Sequence, residues 1–413
     1  MSEGTLLASR YEVQAFVGEG SFGKVAKCVD TITDNKLAVK ITKDQPYVLL
    51  QALEEIKILR RLQTVDEDKC NFVKWDGLFL HEQFVCLKFE LLDLSLFDYM
   101  EERKFLSLSL SEVRPILHQI TTALLHLEEL KIIHADLKPD NIMIADRRQE
   151  SLRVKMIDFG LARHVSKATQ GSLVQSLWYR APEIMLGLTF AEPIDMWSLG
   201  LIAADIALGF TLFPGHHEYD MLKFFVDTLG QPPDYLLNFG QRSSDFFKLV
   251  GSDNEEIWRL KTPEEFAMQT GHKYKDTRQF NISSLDGLQN MMSFRDKAGK
   301  KELLNFIDLL RNMLAMDKNC RIVPQVVLEH PFFFKEDTNI SHNTEDLTAS
   351  VEEASTCENV NCTGNISAEP VDNAAETEPE PEITVNTTRR GGRVRRFFRR
   401  MGTAVVSLFR CGR

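Results

Sequence analysis

Two apolar runs that each end in charged or polar side chains constrain the fold of this chain more than any other feature. The first, Ile132–Ile133, leads into His134-Ala135-Asp136-Leu137-Lys138-Pro139-Asp140-Asn141, and the second, at 154–157, leads into Asp158-Phe159-Gly160. An apolar run lies in a core, and a core fixes the position of its ends. We therefore expect four polar side chains at the edge of a rigid body: Asp136, Lys138, Asn141 and Asp158.

The four side chains share a preference for one kind of ligand. Carboxylates and a carboxamide are hard oxygen ligands for Mg²⁺, and a Lys ammonium supplies a mobile positive charge for phosphate oxygens. Taken singly, each residue would be an ordinary polar residue at the end of a strand or in a loop. Together they indicate a site for a divalent cation and a phosphate.

Composition excludes several classes of protein. The 413 residues suffice for two lobes, and the net charge of −11 argues against a general nucleic-acid binder, so we expect no direct nucleic-acid partner. Seven Cys are scattered without a CxxC pair, which is typical of a reducing compartment and argues against zinc. We find neither a signal segment nor a run able to span a bilayer, and we expect an intracellular protein.

A glycine-rich segment lies between two predicted strands near the N-terminus. Residues 11–17, 24–30 and 36–42 have strand patterns, and Gly18-Glu19-Gly20-Ser21-Phe22-Gly23 separates the first two. Glycine lets backbone amides approach phosphate oxygens. A dinucleotide-binding loop would continue as a helix, whereas Lys24-Val25-Ala26 continues as a strand. The pattern favours a glycine-rich hairpin that covers a bound nucleotide. An ordinary hairpin turn is the alternative.

A lysine in an apolar strand requires a partner. Lys40 lies in the middle of Leu37-Ala38-Val39-Lys40-Ile41, and an unpaired buried charge costs several kcal/mol, on the order of the values for isolated ions. Residues 47–62 have helical spacing, and Glu54 or Glu55 could pair with Lys40. The apolar face of this helix is predicted to consist of Leu49, Leu50, Leu53, Ile56, Leu59 and Leu62. A strand at 84–92 follows, and we place a lobe boundary after it.

The remaining chain is predicted to contain several helices, followed by an acidic segment and then a basic one. We predict helices at 111–130, 193–209, 302–316 and 324–330, with an irregular insert at 230–300. Residues 336–388 contain thirteen Asp or Glu and no Lys or Arg, which predicts an acidic disordered linker. Residues 389–413 contain nine Arg opposite an apolar arc. This basic amphipathic tail favours a membrane surface, with nuclear import or nucleic-acid binding and a solvated end as alternatives.

Six motifs occur in the order of the protein-kinase signature. They are Gly18-x-Gly20-x-x-Gly23-x-Val25, Ala38-Val39-Lys40, the segment from His134 to Asn141, Asp158-Phe159-Gly160, Ala181-Pro182-Glu183 and Asp195-x-Trp197-Ser198-x-Gly200. The chain therefore resembles protein kinases over residues 11–335. His-Ala-Asp at 134–136, the segment 164–168 and Trp258-Arg259-Leu260-Lys261-Thr262-Pro263 are similar to homeodomain-interacting protein kinases, relatives of the dual-specificity tyrosine-regulated kinases in the CMGC group.

The resemblance implies an α+β, bilobal fold and the cofactors ATP and Mg²⁺. A small β-rich N-lobe (11–90) and a larger α-helical C-lobe (91–335) would form the kinase domain, followed by a disordered C-terminal tail. The loop over the ATP phosphates would comprise Val17, Gly18, Glu19, Gly20, Ser21, Phe22, Gly23, Lys24 and Val25. Lys40 would hold the α- and β-phosphates, oriented by Glu55, the better match of the two helix carboxylates. Adenine would contact Val17, Val25, Ala38, Met143, the gatekeeper Phe89, and the backbone from Glu90 to Leu92.

The resemblance also assigns the catalytic and metal residues. Asp136 would accept the proton of the substrate hydroxyl, and Lys138 would neutralise charge on the γ-phosphate. Asn141 and Asp158 would hold Mg²⁺, with Asn141 counted in the catalytic set. Such a division is physically reasonable because phosphoryl transfer depends mainly on positioning and electrostatics.

Three positions depart from a kinase pattern: Ala135 departs from that of most kinases, as it does in the close relatives, whereas Leu173 and Trp178 depart from that of the close relatives themselves. Ala135 replaces the common Arg, Leu173 replaces the Tyr that the relatives phosphorylate themselves, and Trp178 replaces another Tyr. We hypothesise that packing of Leu173 and Trp178 holds the activation segment, which is the interval between Asp158 and Glu183, in place of a phosphorylated Tyr. His134 is expected to be a packed, hydrogen-bonded support of its loop and not an acid or base.

The predicted function is transfer of the ATP γ-phosphate to Ser or Thr of protein substrates, with Arg180 favouring sites followed by Pro. The alternative is a catalytically weak kinase-like scaffold that acts through its partners. By resemblance, transcription regulators are candidate partners. Residues 389–413 are expected to bind a membrane surface or an import receptor. The expected location of the protein is the nucleus or the cytoplasm.

Overall fold

The computed structural model describes residues 1–20, 22–148, 152–251, 256–293 and 299–334. The predicted acidic linker and basic tail, with Lys335 and Ser21, lie outside the described residues. No helix in the described ranges is both long and apolar enough to cross a membrane.

The N-terminal part is an antiparallel sheet with one helix. Its strands are β1 (Leu6–Leu7), β2 (Tyr11–Glu19), β3 (Gly23–Asp30), β4 (Lys36–Thr42), β5 (Trp75–His81) and β6 (Phe84–Glu90), and α1 (Pro46–Leu62) connects β4 to β5. The spatial order is β1-β2-β3-β4-β6-β5. The three predicted strands and the helix are confirmed within two residues. Pro46 fits the first turn of α1 because its missing N–H would be unpaired there in any case.

The C-terminal part is mainly helical. Its helices are α2 (Leu96–Glu102), α3 (Leu110–Glu129), α4 (Pro182–Met185), α5 (Pro193–Leu208), α6 (Glu218–Leu229), α7 (Asp234–Phe239), α8 (Ser243–Phe246), α9 (Pro263–Thr270), α10 (Gly287–Ser293), α11 (Lys300–Met313) and α12 (Pro324–Leu328). Short strands are β7 (Leu94–Ser95), β8 (Ile132–Ile133), β9 (Ile142–Ile144), β10 (Val154–Met156), β11 (Arg163–His164), β12 (Phe247–Val250) and β13 (Ile257–Leu260). This confirms the α+β fold that the resemblance implies, with a smaller β-rich N-terminal part and a larger helical C-terminal part.

Helix α5 forms the centre of the larger part. Residues 194–208 of α5 are all buried, as its nearly continuous apolar sequence predicts. At Gly200 a Cβ atom would lie 2.9 Å from Cβ of Met313 in α11, so only glycine permits this close approach. Helix α3 begins with a capping box in which Ser109 and Glu112 satisfy backbone amides reciprocally.

Two expectations about local structure are wrong. The segment at 230–300 is not simply irregular, because it contains the β12–β13 hairpin and four helices that are too short to give a clear periodic signal. Leu50 is 56% exposed and does not belong to the buried face of α1. The buried face includes Glu55 instead, and a charged side chain does not register in an apolar pattern.

Candidate active site

Lys40 joins two distant parts of the sequence. From β4 its ammonium lies 2.7 Å from Oε1 of Glu55 in α1 and 2.7 Å from Oδ1 of Asp158. The structure thus confirms the predicted pair and selects Glu55, while Glu54 contacts Lys57 and Lys167 at the surface. Lys40 therefore links α1 to the segment that begins at Asp158.

Burial and charge act in opposite directions on this cluster. Burial alone would lower the pKa of Lys40, but Glu55 and Asp158 outweigh it and raise that pKa above its usual value. Burial raises the pKa of Glu55 in spite of Lys40. For Asp158, burial is outweighed by the ammonium, so its pKa is lowered. A charged ammonium is thus held beside the Asp158 carboxylate.

The loop after β8 brings together the other predicted residues. Asn141 donates from Nδ2 to the backbone oxygen of Asp136 at 2.8 Å and to its Oδ2 at 3.2 Å. Lys138 lies 3.1 Å from Oδ2 of Asp136 and 3.1 Å from Oγ of Ser176. The Ser176 hydroxyl and amide donate to Oδ1 of Asp136 at 2.9 and 3.2 Å. The loop therefore presents a carboxylate that already accepts a hydrogen bond from a hydroxyl group.

A buried carboxylate in α5 fixes the shape of this loop. Asp195 accepts from the backbone amides of His134 at 2.7 Å and Ala135 at 2.9 Å, and Ala135 has a left-handed φ of 64°. Burial raises the pKa of Asp195 to about 6. His134 is fully buried, and its Nε2 lies 3.0 Å from the carbonyl oxygen of Ile157, which confirms its supporting role.

The predicted glycine-rich loop is the turn between β2 and β3. Gly20 donates its amide to the carbonyl oxygen of Gly23 at 2.9 Å. A Cβ atom on Gly23 would lie 2.1 Å from the Ile41 carbonyl oxygen, so this glycine is required by the sheet itself. Of the other loop residues, Glu19 and Lys24 form an exposed ion pair at 3.2 Å, Gly18 pairs with Val25, and Val17 is 58% exposed.

Most residues predicted to contact adenine lie on paired strands: Val25 in β3, Ala38 in β4, Phe89 in β6 and Met143 in β9. In the sheet Val25 pairs with Lys40 and Ala38 with Phe89, and in the C-terminal part Met143 pairs with Lys155. Their side chains are half-buried, whereas Leu92, after β6, is buried. The amide of Glu90 donates to the Lys74 carbonyl oxygen at 3.0 Å, so it is already engaged.

The donor atoms at the end of the site suit Mg²⁺. Because Nδ2 of Asn141 is bonded to Asp136, the amide oxygen of Asn141 is its remaining polar atom. Lys40 binds Oδ1 of Asp158, which leaves Oδ2 as the second oxygen. Two hard oxygen donors, one of them on the carboxylate that contacts the Lys40 ammonium, fit a magnesium–nucleotide pair. No cluster of three or more His, Cys, Asp or Glu in the described ranges has the arrangement of a metal site.

The comparison with protein families decides the relationship. The family described as "Protein kinase domain" matches residues 11–333. The chain belongs to the protein kinase family. Its kinase domain is 43% identical over 332 residues to homeodomain-interacting protein kinase 2 of Mesocricetus auratus, covering 79% of this chain and 28% of the relative. Homeodomain-interacting protein kinase 1 of Caenorhabditis elegans is 40% identical over 341 residues, covering 78% and 40% respectively.

A third relative extends the same similarity. Homeodomain-interacting protein kinase 4 of Homo sapiens is 34% identical over 348 residues, which are 81% of this chain and 56% of the relative. The chain thus spans between about a quarter and just over half the length of these curated relatives. The resemblance expected from the motifs is confirmed.

The hypothesis about the activation segment of this kinase domain is wrong for Leu173. Its side chain is 61% exposed and cannot hold the segment by packing. Trp178 is 39% exposed, and its Nε1 donates to the Gly215 carbonyl oxygen at 2.9 Å. The segment is instead joined to α1, because the Lys167 ammonium lies 2.6 Å from Oε2 of Glu54 and the side-chain Nε2 of Gln51 donates to the carbonyl oxygen of Gly160.

Sequence reasoning missed three polar residues in or beside the candidate site. Asp195 was noted only as part of a motif, although an acid inside an apolar helix signals a buried partner. Ser176 belongs to the segment Gln175-Ser176…Tyr179-Arg180, which also resembles the homeodomain-interacting protein kinases, but nothing else in the sequence marks it. Lys155 follows Val154 in an apolar strand, as Lys40 does in β4, and the same argument about an unpaired charge applies to it.

Proposed function

We propose that this chain is an ATP-dependent protein serine/threonine kinase. The observation that carries the proposal is the contact chain from Glu55 through Lys40 to Asp158. It holds a charged ammonium from both sides and places it against the carboxylate of Asp158. An ion pair of this kind between a strand lysine and a helix glutamate is what a nucleotide-phosphate clamp requires.

Each residue then has one task in the proposed transfer. Lys40 binds phosphate oxygens of ATP, and Lys138 neutralises charge on the phosphoryl group in transit. Asp136 receives the proton of the acceptor hydroxyl; its hydrogen bond from the Ser176 hydroxyl supports this role because the two groups are chemically alike. Mg²⁺, held by Asn141 and Asp158, would supply charge neutralisation of the phosphates.

Phosphorylation of a generic basic protein tests the proposal. We expect Asp136→Ala and Lys40→Met each to reduce the rate by about 100-fold or more, by analogy with the removal of other preorganised charges. The alternative, a weak kinase-like scaffold, is favoured only by Leu173 at the place of a phosphorylated Tyr. Equal signals from the wild type and both variants would establish that alternative.

We also propose a preference for acceptor sites followed by Pro. Arg180 donates from Nε to the Val174 carbonyl oxygen at 3.0 Å and from Nη2 to that of Gln175 at 2.8 Å. Gln175 itself has a left-handed φ of 65°. Arg180 already occupies these carbonyl oxygens. The backbone N–H of the substrate residue that follows the phosphorylated Ser or Thr would therefore lack a hydrogen-bond partner, whereas Pro has no N–H to satisfy. Peptide pairs that differ only by Pro or Ala after Ser test this; equal kcat/KM values would refute it.

Partners and location rest on the relatives and on the tail. We propose protein substrates, and homeodomain proteins as candidates, because the relatives are named for that interaction. For residues 389–413 we propose a membrane surface, with an import receptor as the rival. Fusing this segment to a fluorescent protein separates them: membrane signal supports the first, nuclear accumulation the second, and a diffuse signal neither.

A further inference from the structure

A buried lysine connects three separate segments beside the proposed nucleotide site. The side chain of Lys155 in β10 is only 2% exposed. Its ammonium lies 2.6 Å from Oε1 of Glu90 and 2.7 Å from Oδ1 of Asp68. Asp68 lies between α1 and β5, and Glu90 is the last residue of β6. No step of the proposed phosphoryl transfer uses this cluster.

One end of the cluster is the segment proposed to bind the adenine edge. Glu90 begins the hinge segment, defined here as residues 90–92. The Glu90 amide donates to the Lys74 carbonyl oxygen at 3.0 Å, and its Oε1 accepts from the Lys74 amide at 2.6 Å. The same Oε1 binds Lys155. Both the backbone and the side chain of Glu90 are therefore held, so the position of the hinge segment depends on this carboxylate.

The other end of the cluster is the strand that leads to Asp158. In β10 the backbone amide of Met156 donates to the backbone carbonyl oxygen of Asn71 at 2.8 Å. The backbone amide of Val73 donates to the carbonyl oxygen of Met156 at 3.0 Å. Lys155 is paired with Met143 of β9, and Asp158 follows three residues later. A displacement of β10 would therefore move both the proposed adenine contact at Met143 and the carboxylate that binds Lys40.

We propose that Lys155 is a positioning residue that fixes the distance between the hinge segment and Asp158, and so preorganises the nucleotide site. The inference rests on the proposed ATP-dependent function. A nucleotide that contacts both places gains affinity when their separation is set before it binds, because less motion is lost on binding. An ammonium with two carboxylate partners gives one defined geometry, whereas a single surface pair would not.

Arg153 provides a matched control. Its Nη2 donates to Oδ1 of Asp68 at 3.0 Å, but no hydrogen bond or ion pair between Arg153 and Glu90 is present in the described residues. Its side chain is 42% exposed. Loss of Arg153 therefore weakens the Asp68 side of the cluster and leaves the link to the hinge segment intact.

The experiment measures ATP binding with Mg²⁺ by calorimetry and amide hydrogen exchange of residues 88–93 without nucleotide, in the full-length chain. For Lys155→Met we expect about tenfold weaker ATP binding and faster exchange in the hinge segment, with kcat changed less than KM for ATP. Lys155→Arg should restore part of the affinity. Arg153→Ala should match the wild type within about twofold, as is usual for an exposed pair.

A partner variant keeps the test decisive if Lys155→Met does not fold. Glu90→Gln retains one oxygen for Lys155 but removes the charge, and we expect the same direction of change. Unchanged ATP affinity and hinge exchange in folded Lys155→Met or Glu90→Gln would overturn the inference, as would an equal effect of Arg153→Ala. Failure of the wild type to bind ATP would refute the proposed function instead, and hinge exchange would still decide whether Lys155 holds the segment.

Discussion

Oε1 of Glu55 lies 2.7 Å from the Lys40 ammonium nitrogen, although the two residues belong to different elements and the Glu55 side chain is only 3% exposed. Because Lys40 also binds Asp158, Glu55 is the group that holds the ammonium from the side of α1. The orientation of the lysine toward phosphate oxygens therefore depends on the position of α1.

Replacing Glu55 with Gln is expected to reduce kcat/KM by about 100-fold, since a displacement of roughly 1 Å at a reacting group has that effect. The variant should stay folded by circular dichroism because an amide fits the same space. Glu54→Gln is the matched control: it removes the neighbouring carboxylate, whose partners Lys57 and Lys167 are exposed, so it should make the segment beyond Asp158 easier to cleave by protease but leave kcat/KM within about twofold. Similar losses in both variants would contradict the role of Glu55.

This pair also shows how far the sequence could lead. The motifs predicted the strand of Lys40 and the existence of a helix carboxylate partner, because a charge in an apolar strand requires one. Periodicity alone did not distinguish Glu54 from Glu55, and it placed Leu50 on the buried face of α1. Only the resemblance favoured Glu55, since the rotation of the helix is set by tertiary contacts.

The error at Leu173 has a different cause. A hydrophobic residue in place of a phosphorylated tyrosine suggested packing, yet its burial depends on which segments lie nearby, and the sequence does not reveal this. Ser176 was missed for the same reason: its contacts with Asp136 and Lys138 join residues about forty positions apart.

A buried ion pair between Arg321 and Glu183 stabilises the chain that follows the candidate active site. Arg321 donates to Glu183 through Nη1 at 2.7 Å and Nη2 at 3.0 Å, and the two side chains are 0% and 2% exposed. Arg321→Met should lower the free energy of unfolding by about 3–5 kcal/mol, because a carboxylate stays buried without its partner. Denaturant unfolding measures the change.

The control for this prediction is Arg311→Met. Arg311 is 51% exposed and pairs with Asp286 and Asp308 at the surface, so its loss should cost no more than about 1 kcal/mol. Adding Glu183→Leu to Arg321→Met should recover part of the stability, since no unpaired charge then remains buried. A double variant less stable than Arg321→Met would disprove this explanation.

The carboxyl group of Asp205 gives the stability of the domain a pH dependence. It accepts from the Leu212 amide at 2.8 Å and the Tyr179 hydroxyl at 3.1 Å, and burial raises its pKa from 3.8 to about 7. Between these values the folded state keeps a proton that the unfolded state has lost. The contribution of Asp205 to the free energy of unfolding is therefore largest below the unfolded pKa and falls as pH rises to about 7, by at most about 1.4 kcal/mol per pH unit.

Asp205→Asn removes this titration and keeps a neutral group of the same shape. The stability of the variant relative to the wild type should thus improve steadily from pH 5 to pH 7. Urea unfolding of both proteins at several pH values in this interval gives the difference. A difference that stays constant with pH would show that Asp205 does not titrate as described.

The activation segment should function without phosphotyrosine. Tyr179 is the only tyrosine between Asp158 and Glu183. It is 8% exposed, and its hydroxyl donates to Asp205. Burial is also the main reason why its pKa is raised well above the usual value. A kinase cannot reach this hydroxyl without opening the segment, and Leu173 cannot accept a phosphate.

Mass spectrometry of active protein should therefore find no phosphotyrosine in this interval, and treatment with a tyrosine phosphatase should leave its activity unchanged. Leu173→Ala should retain activity within about twofold, because an exposed side chain contributes little to stability. By contrast, Lys167→Ala removes the link to Glu54 and should make the segment easier to cleave by protease. Stoichiometric phosphotyrosine at Tyr179 would mean that the segment adopts a second, open arrangement in which Asp205 loses this partner.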